Sequence, residues 1–232
     1  MGLTPLKGCN LLEISKKDML TYFEELNRRL VEDNKQGEII IAGGAALTLA
    51  FDARDSTRDI DAVFQPKDDL GKIVENMADE YGLNKDWIND GVKGFITDKM
   101  NFNEILKYSN LSVSSMDAEA LLAMKLTSAR VDSKDMDDSI FLMNLLDIKK
   151  ESELFEIINK YTYPNRHTIA SKYFTIEAFE KYQGTLNRKL SNQCTRPSFK
   201  DTLNRAKQKS KNLANKKNVP NKQKPNRETP DL

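Results

Sequence analysis

Hydrophobic positions in the first quarter of the chain recur first with helical spacing and then with strand spacing. Apolar side chains return every three or four residues over 15–33, which predicts an amphipathic helix that Ser15 caps. The β-branched run 38–42 predicts a buried strand, and 57–64 predicts a second strand. Between them, the apolar run 45–51 predicts a short helix. The order up to residue 64 is therefore helix, strand, helix, strand.

The remainder of the chain changes from mixed to wholly helical patterns. A helix is predicted over 68–81. Two strands, 101–108 and 111–113, follow, and Ser109-Asn110 is expected to connect them. Later segments with helical spacing are 116–130, about 134–147, 151–160, 174–190 and a basic stretch at 198–214. This order predicts an α+β fold, with a mixed sheet flanked by helices and a helical C-terminal half.

Charge is distributed unevenly between the body of the chain and its C-terminal end. Residues 185–232 hold 13 Lys and Arg against 3 Asp and Glu, a net charge of +10, whereas the remaining residues hold 23 against 32, a net charge of −9. We predict an α/β core over 1–114, a helical region over 115–195, and a basic, largely disordered tail over 196–232. Such a tail favours a polyanionic partner, most simply RNA, although many basic tails are only solvated.

Composition excludes several classes of protein and of site. No apolar run approaches the roughly 20 residues that a bilayer-spanning helix needs, and the N-terminus lacks the pattern of a secretory signal. We therefore expect a cytoplasmic protein with no membrane partner. The chain has two cysteines and one histidine, too few for a disulfide framework or a zinc site. The chemistry must then come from carboxylates, lysines and backbone amides.

A diglycine separates the predicted strand 38–42 from the helix that follows it. Gly43 and Gly44 carry no Cβ, so a ligand can approach their backbone N–H groups closely. The N-terminus of the next helix adds partial positive charge, which suits a phosphate. Glycine also occurs at such turns for steric reasons alone, so the diglycine by itself is a weak indication.

Two aspartates lie close together in the strand predicted after the diglycine. Asp59 and Asp61 flank Ile60, and the period of a strand would point both carboxylates to one face. Two such carboxylates repel each other unless a cation neutralises them, and Mg²⁺ is the usual one. A solvated edge strand with alternating polar residues is the alternative.

The diglycine and the aspartates together resemble the DNA polymerase beta-like nucleotidyltransferase superfamily. Its signature is a Gly-Gly or Gly-Ser turn followed by a strand with Asp-x-Asp. The matching residues here are Gly43, Gly44, Thr57, Arg58, Asp59 and Asp61. The resemblance implies that the turn and the two residues before the aspartates hold a nucleoside triphosphate (NTP). It also implies that the two aspartates are catalytic and bind Mg²⁺ or Mn²⁺.

A second stretch, 116–143, extends the resemblance. Lys125 lies on the mostly apolar face of the predicted helix, which is unusual unless its ammonium group meets an anion. A lysine at the rim of the core would have the same position. The stretch resembles the downstream motifs of the abortive-infection-type (AbiEii-like) bacterial nucleotidyltransferase toxins. The residues that carry this resemblance are Lys125, Arg130, Lys134, Asp135, Asp137 and Asp138.

The resemblance assigns roles to some of these residues. It implies that Lys125 is catalytic, that Lys125 and Arg130 contact the triphosphate, and that Asp135 or Asp138 supports the site or binds the acceptor. A salt-bridged helix face explains Lys134 and Asp138 equally well, because the two are spaced i, i+4.

Two hypotheses about function follow. The first is a metal-dependent nucleotidyltransferase that moves a nucleotide from an NTP to RNA, such as the 3′ end of a tRNA, in a bacterial toxin or defence setting with an antitoxin as a possible partner. A protein hydroxyl or an aminoglycoside is an alternative acceptor. The second is a catalytically degenerate nucleotidyltransferase fold that binds a partner protein or RNA. Many superfamily members carry a third carboxylate on a later strand, where this chain offers only Glu104.

Overall fold

The computed structural model describes residues 13–128 and 133–194. The strands are β1 (Ile14–Ser15), β2 (Gly37–Ile41), β3 (Ser56–Thr57), β4 (Ile60–Gln65), β5 (Ile88–Asn89), β6 (Phe102–Lys107) and β7 (Leu111–Met116). The α-helices are α1 (Lys16–Glu32), α2 (Gly43–Leu49), α3 (Lys67–Tyr81), α4 (Ala118–Ser128), α5 (Ser133–Leu145), α6 (Glu151–Tyr161) and α7 (Ile169–Cys194). Short 3-10 helices occur at Gly91–Phe95 and Pro164–Arg166.

Five strands form one mixed sheet in the order β5-β4-β2-β7-β6. β2 runs antiparallel to β4 and parallel to β7, and β6 pairs antiparallel with β7 as predicted. Because β2 is the central strand, the diglycine that follows it lies in the middle of the sheet edge. A mixed sheet flanked by helices, followed by a helical C-terminal half, confirms the predicted α+β fold.

Helices α1 and α3 pack on the sheet, α1 against β7 and α3 against β4. Ser15 caps α1 as predicted, and it forms a capping box with Asp18. Truncating one of the buried apolar side chains of α1 to alanine would cost about 2–5 kcal/mol, because it leaves a cavity. Those fully buried side chains are Met19, Phe23, Leu26 and Leu30.

Two boundaries near the diglycine differ from the prediction. Helix α2 begins at Gly43 instead of residue 45, with Ala42 as its extended N-cap residue. Strand β4 begins at Ile60 instead of Thr57, and Asp59 lies in the bend before it. The reason is that Thr57 belongs to β3, which pairs with β1 in a separate two-stranded sheet. The chain must therefore turn before it enters the five-stranded sheet.

The helical half of the chain is built around α4. Its buried residues run without interruption from Ala120 to Thr127, and α5 and α6 both pack against it. On α6, the Tyr161 hydroxyl donates a hydrogen bond of 2.8 Å to Glu119 Oε2 of α4. The buried run of α4 includes Lys125, so this lysine lies inside the protein and not at its rim.

The chain divides into two compact units between Gln183 and Gly184. The first unit includes the sheet, helices α1 to α6 and the N-terminal part of α7. The boundary predicted at residue 114 stays a prediction, and the predicted tail 196–232 lies outside the described residues. Within the ranges 13–128 and 133–194, no helix has both the length and the apolarity that crossing a membrane requires.

Glu25 on α1 makes the stability of the fold depend on pH. Hydrogen bonds from Arg28 lower the pKa of the Glu25 carboxyl to about 2, aided by Arg29 and opposed by burial. Because this pKa is lower than the unfolded value of about 4.3, the stabilisation is complete above that value and is lost as the pH falls from about 4.3 to 2.

We therefore expect Glu25→Gln to reduce the free energy of unfolding by about 1–2 kcal/mol at pH 7, since water screens part of the interaction with the exposed Arg28. At pH 3 the difference from the wild type should shrink by about half. Urea unfolding of the wild type and of Glu25→Gln at both pH values measures this difference in the free energy of unfolding. A difference that is the same at pH 7 and pH 3 would contradict the lowered pKa.

Candidate functional site

The Gly43-Gly44 turn lies where the central strand β2 passes into α2. Gly43 has a φ of +56°, which L-residues with a side chain rarely adopt. A Cβ added to Gly43 would lie 2.6 Å from Asp61 Oδ2, which is shorter than a van der Waals contact. The Asp61 carboxylate thus lies directly over the backbone of Gly43. Both the backbone conformation and the close approach require glycine at this position.

Gly43→Ala is expected to displace the Asp61 carboxylate and to lower the unfolding temperature. The backbone strain alone costs about 1–2 kcal/mol, and the contact with Asp61 adds to it. Gly82→Ala is a matched control, because Gly82 has a φ of +66° but no atom of the described residues within 4 Å of an added Cβ. Comparing the unfolding temperatures of the two variants separates the cost of the backbone strain from the cost of the contact with Asp61. An equal loss at the two positions would mean that the Asp61 carboxylate moves aside without cost.

Asp59 and Asp61 reach the turn from the start of β4. Both are half-buried, Asp59 in the bend and Asp61 as the second residue of the strand. On the parallel neighbour β5, Asn89 lies in register with Asp61. Asn89 Nδ2 is 3.5 Å from Asp59 Oδ2, and Asn89 Oδ1 accepts a hydrogen bond of 3.0 Å from the Gly91 N–H. This second bond turns the amide donors of Asn89 towards Asp59.

The two carboxylates are suited to a Mg²⁺ or Mn²⁺ ion. Mg²⁺ in proteins is usually bound through one or two carboxylates, with water and substrate phosphates as its other ligands. Within the described ranges, no cluster of three or more His, Cys, Asp or Glu side chains could hold a metal ion.

The second glycine of the turn is approached from another direction. A Cβ added to Gly44 would collide with Thr57 Oγ1 and would lie 3.2 Å from Arg54 Nη1. Thr57 is buried and thus lies at the turn. The resemblance had implied that this residue binds the nucleotide, and that role stays a prediction. Arg54 was not predicted as a site residue. The turn consequently has a carboxylate over its first glycine and a guanidinium group beside its second.

Arg58 points to a different neighbour. Its side chain is exposed. Hydrogen bonds from the Ser56 hydroxyl and from Lys134 lower the pKa of the Glu13 carboxyl, and the charge of Arg58 makes a smaller contribution. Lys134 Nζ lies 3.2 Å from Glu13 Oε1. Arg58 thus lies near an acidic residue at the two-stranded sheet of β1 and β3.

A buried network of charged side chains extends from Arg54 into the helical half. Arg54 holds the Asp138 carboxylate with two nitrogens, Nε at 2.6 Å and Nη2. Lys125 Nζ lies 2.5 Å from Asp135 Oδ1 and 2.9 Å from Asp138 Oδ2. The Ser128 hydroxyl donates a bond of 3.2 Å to Asp135 Oδ2. Among the described residues, two cations therefore balance two buried carboxylates, and an unpaired charge there would be costly.

The buried network includes three of the residues that the stretch 116–143 singled out, namely Lys125, Asp135 and Asp138. The ammonium group of Lys125 does meet anions, and in this structure they are the carboxylates of Asp135 and Asp138. Arg54 connects Asp138 to the turn, so the network and the turn adjoin. Arg130, the other predicted triphosphate contact, lies outside the described residues.

Glu104 is not brought to the turn. It lies on β6, and two strands, β2 and β7, separate β6 from β4. At roughly 4.8 Å per strand, Glu104 is about 14 Å or more from the aspartates. Its side chain is exposed and pairs with Lys107, whose Nζ lies 3.3 Å from Glu104 Oε2. Among the described residues, Glu104 therefore makes no contact by which it could support the two aspartates.

Comparison with known proteins identifies the family to which the chain belongs. No curated protein and no solved structure matches the chain. The model of a family described as nucleotidyltransferases of unknown function (DUF6036) matches residues 17–187. This range includes the diglycine, both aspartates and the buried charged network. Because the match extends over well more than half of the sequence, the chain belongs to this family of nucleotidyltransferases of unknown function.

Proposed function

We propose that this protein is a metal-dependent nucleotidyltransferase that moves a nucleotide from an NTP to an acceptor. The observation that carries the proposal is the Asp61 carboxylate directly over Gly43, with Asp59 in the bend before β4. The missing Cβ atoms let Asp61 approach Gly43 and let Thr57 and Arg54 approach Gly44, and the two carboxylates would supply ligands for Mg²⁺ or Mn²⁺. Membership of a nucleotidyltransferase family supports the same function.

The residues around the turn would act by positioning and by charge. Asp59 and Asp61 would hold the ion, which when bound neutralises charge on the phosphates and on the departing pyrophosphate. Asn89 would keep the Asp59 carboxylate in place, and Thr57 would shape the turn from the side of Gly44. The acceptor hydroxyl would then displace pyrophosphate from the α-phosphorus of the NTP. Such a reaction depends on orientation and on stabilisation of the transition state.

Lys125 and Arg130 enter the proposal through the resemblance. Lys125 is held by Asp135 and Asp138, so it would contact a triphosphate only by exchanging one carboxylate for a phosphate oxygen. Asp135 and Asp138 would support the site by keeping this lysine and Arg54 in place. Arg130 would add a second cation.

We propose RNA, such as the 3′ end of a tRNA, as the acceptor. The support is the net charge of +10 in residues 185–232, because lysine and arginine contacts to phosphates give affinity for RNA of any sequence. A bacterial toxin or defence setting, with an antitoxin as partner, rests on the resemblance to abortive-infection-type toxins alone.

Transfer of label from the α-phosphate tests the proposal. The protein is incubated with Mg²⁺ and each of the four NTPs, labelled in parallel at the α- and at the γ-phosphate, with total RNA or with a protein extract. We expect label in RNA from the α-phosphate only. Label from the γ-phosphate would indicate a kinase and contradict the proposal. No transfer, together with no Mg²⁺-dependent NTP binding, would leave the degenerate binding module as the better function.

A control for the acceptor is built into the same experiment. Label that appears in protein and not in RNA would support the nucleotidyltransferase activity and reject RNA as its acceptor.

For an RNA acceptor, transfer should fall steeply between about 50 and 200 mM salt, because released counterions drive the binding of phosphates. Transfer that does not respond to salt would argue against electrostatic capture of RNA.

A further inference from the structure

Arg54 lies between the diglycine turn and the buried network, with different atoms of its guanidinium group facing each. Nε and Nη2 face the network, where they hold the Asp138 carboxylate, and Nη2 also lies 3.4 Å from the Lys134 carbonyl oxygen. Nη1 faces the turn, 3.2 Å from where a Gly44 Cβ would be. The absence of a side chain on Gly44 is thus what leaves room for Arg54.

The hydrogen bonds of Arg54 leave one nitrogen for a ligand. A guanidinium group has five N–H donors, and the bonds to Asp138 and Lys134 use those of Nε and Nη2. Within the described residues, no hydrogen bond uses Nη1. The Arg54 side chain is 17% exposed, so solvent still reaches it. Two N–H groups of a fixed cation therefore remain available beside the turn.

Lys125 differs from Arg54 in this respect. Its ammonium group lies within 2.9 Å of two carboxylates, and its side chain is only 10% exposed. A phosphate would have to compete with both aspartates for it. Arg54 keeps its carboxylate partner and still presents Nη1, because the planar guanidinium can serve two anions on two edges.

We propose that Arg54 binds a phosphate of the NTP at the Gly43-Gly44 turn. This inference rests on the proposed function and deepens it by naming the cation that meets the triphosphate. Asp138 holds the guanidinium plane by its bidentate pair, so that Nη1 stays directed at the turn before the nucleotide arrives. Asp61 over Gly43 and Arg54 beside Gly44 then give adjacent positions for the ion and for the phosphate it accompanies.

The test must separate loss of the phosphate contact from loss of the fold. Within the part of the chain that the structure describes, Arg54→Gln alone would leave Asp138 with Lys125 as its one cation, so we use Arg54→Gln/Asp138→Asn. That variant removes one positive and one negative charge and leaves Lys125 paired with Asp135. The matched control is Arg29→Gln/Glu25→Gln, which removes a similarly buried arginine with 16% of its side chain exposed and its carboxylate partner, both on α1.

The probe is inorganic tripolyphosphate with Mg²⁺, titrated by calorimetry beside each of the four NTPs. We expect Arg54→Gln/Asp138→Asn to weaken binding of tripolyphosphate and of the preferred NTP by the same factor, about 10- to 100-fold, because it removes a charge-assisted hydrogen bond to phosphate. The control variant should bind as the wild type does. Circular dichroism of both variants verifies that the fold is retained.

The outcomes distinguish this inference from the function on which it rests. If the wild type transfers nucleotide and Arg54→Gln/Asp138→Asn binds tripolyphosphate as tightly as the wild type, Arg54 is not a phosphate ligand, and the proposed function stands. If binding of the NTP weakens but binding of tripolyphosphate does not, Arg54 contacts another part of the nucleotide, and the inference is wrong. If the wild type neither binds nor transfers any NTP, the proposed function fails and the inference with it.

Discussion

Replacing Asp61 by asparagine is expected to reduce nucleotide transfer by about 10³-fold or more. The carboxylate over Gly43 is one of two that would hold the metal ion, and a bound ion contributes several kcal/mol of charge stabilisation to the transition state. Asparagine has nearly the same shape but no charge, so the loss reports charge and not packing. Asp59→Asn should behave similarly.

The α-phosphate transfer assay measures this effect, with Asp79→Asn as the control because Asp79 is exposed on α3. The unfolding temperature of Asp61→Asn should stay near that of the wild type, while the rise that Mg²⁺ and NTP together cause in the wild type should disappear. Transfer by Asp61→Asn at more than a tenth of the wild-type rate would rule out Asp61 as a metal ligand.

Replacing Lys125 by methionine is expected to lower the free energy of unfolding by about 3 kcal/mol. Among the described residues, the change leaves the two buried carboxylates with Arg54 as their remaining cation, and Arg54 pairs with Asp138. Breaking a buried ion pair from one side costs about 3–5 kcal/mol, because the remaining charge is not compensated. For a protein of this size that corresponds to a fall of about 6–12 °C in the unfolding temperature.

A second substitution should reverse most of that loss. Lys125→Met/Asp135→Asn removes both members of one pair and leaves Arg54 with Asp138, so the network is balanced again. Lys160→Met is the control for a lysine in an ion pair near the surface: Lys160 lies 2.9 Å from Glu119 and is 54% exposed, so its loss should destabilise the fold far less than the loss of Lys125 does. Equal losses at Lys125 and Lys160 would show that the buried network does not stabilise the fold.

The local patterns of the chain predicted its elements well where each element buries one face by itself. The apolar stripe over 15–33 became α1, and the apolar side of 68–81 became α3, because helical spacing places those side chains on one side whatever they pack against. Strand 57–64 was placed three residues too early. Pairing of β3 with β1 decided this boundary, and strand propensity cannot report pairing.

The sequence by itself determined the turn and its two aspartates. A diglycine after a buried strand and two carboxylates two residues apart are features of short segments, so Gly43, Gly44, Asp59 and Asp61 can be singled out without the fold. The sequence also singled out Lys125 on an apolar helical face, but it left open whether the ammonium group meets an anion or lies at the rim of the core.

Only the tertiary structure decided which other residues share the site. Arg54 and Asp138 are 84 positions apart in the chain, and Asn89 reaches Asp59 from the two-residue strand β5, so no periodic signal relates them to the turn. Glu104 was a candidate by residue type, and the strand order β5-β4-β2-β7-β6 places it far from β4. Side-chain type is encoded locally, whereas proximity between distant segments depends on how strands order themselves and how helices pack to bury apolar surface.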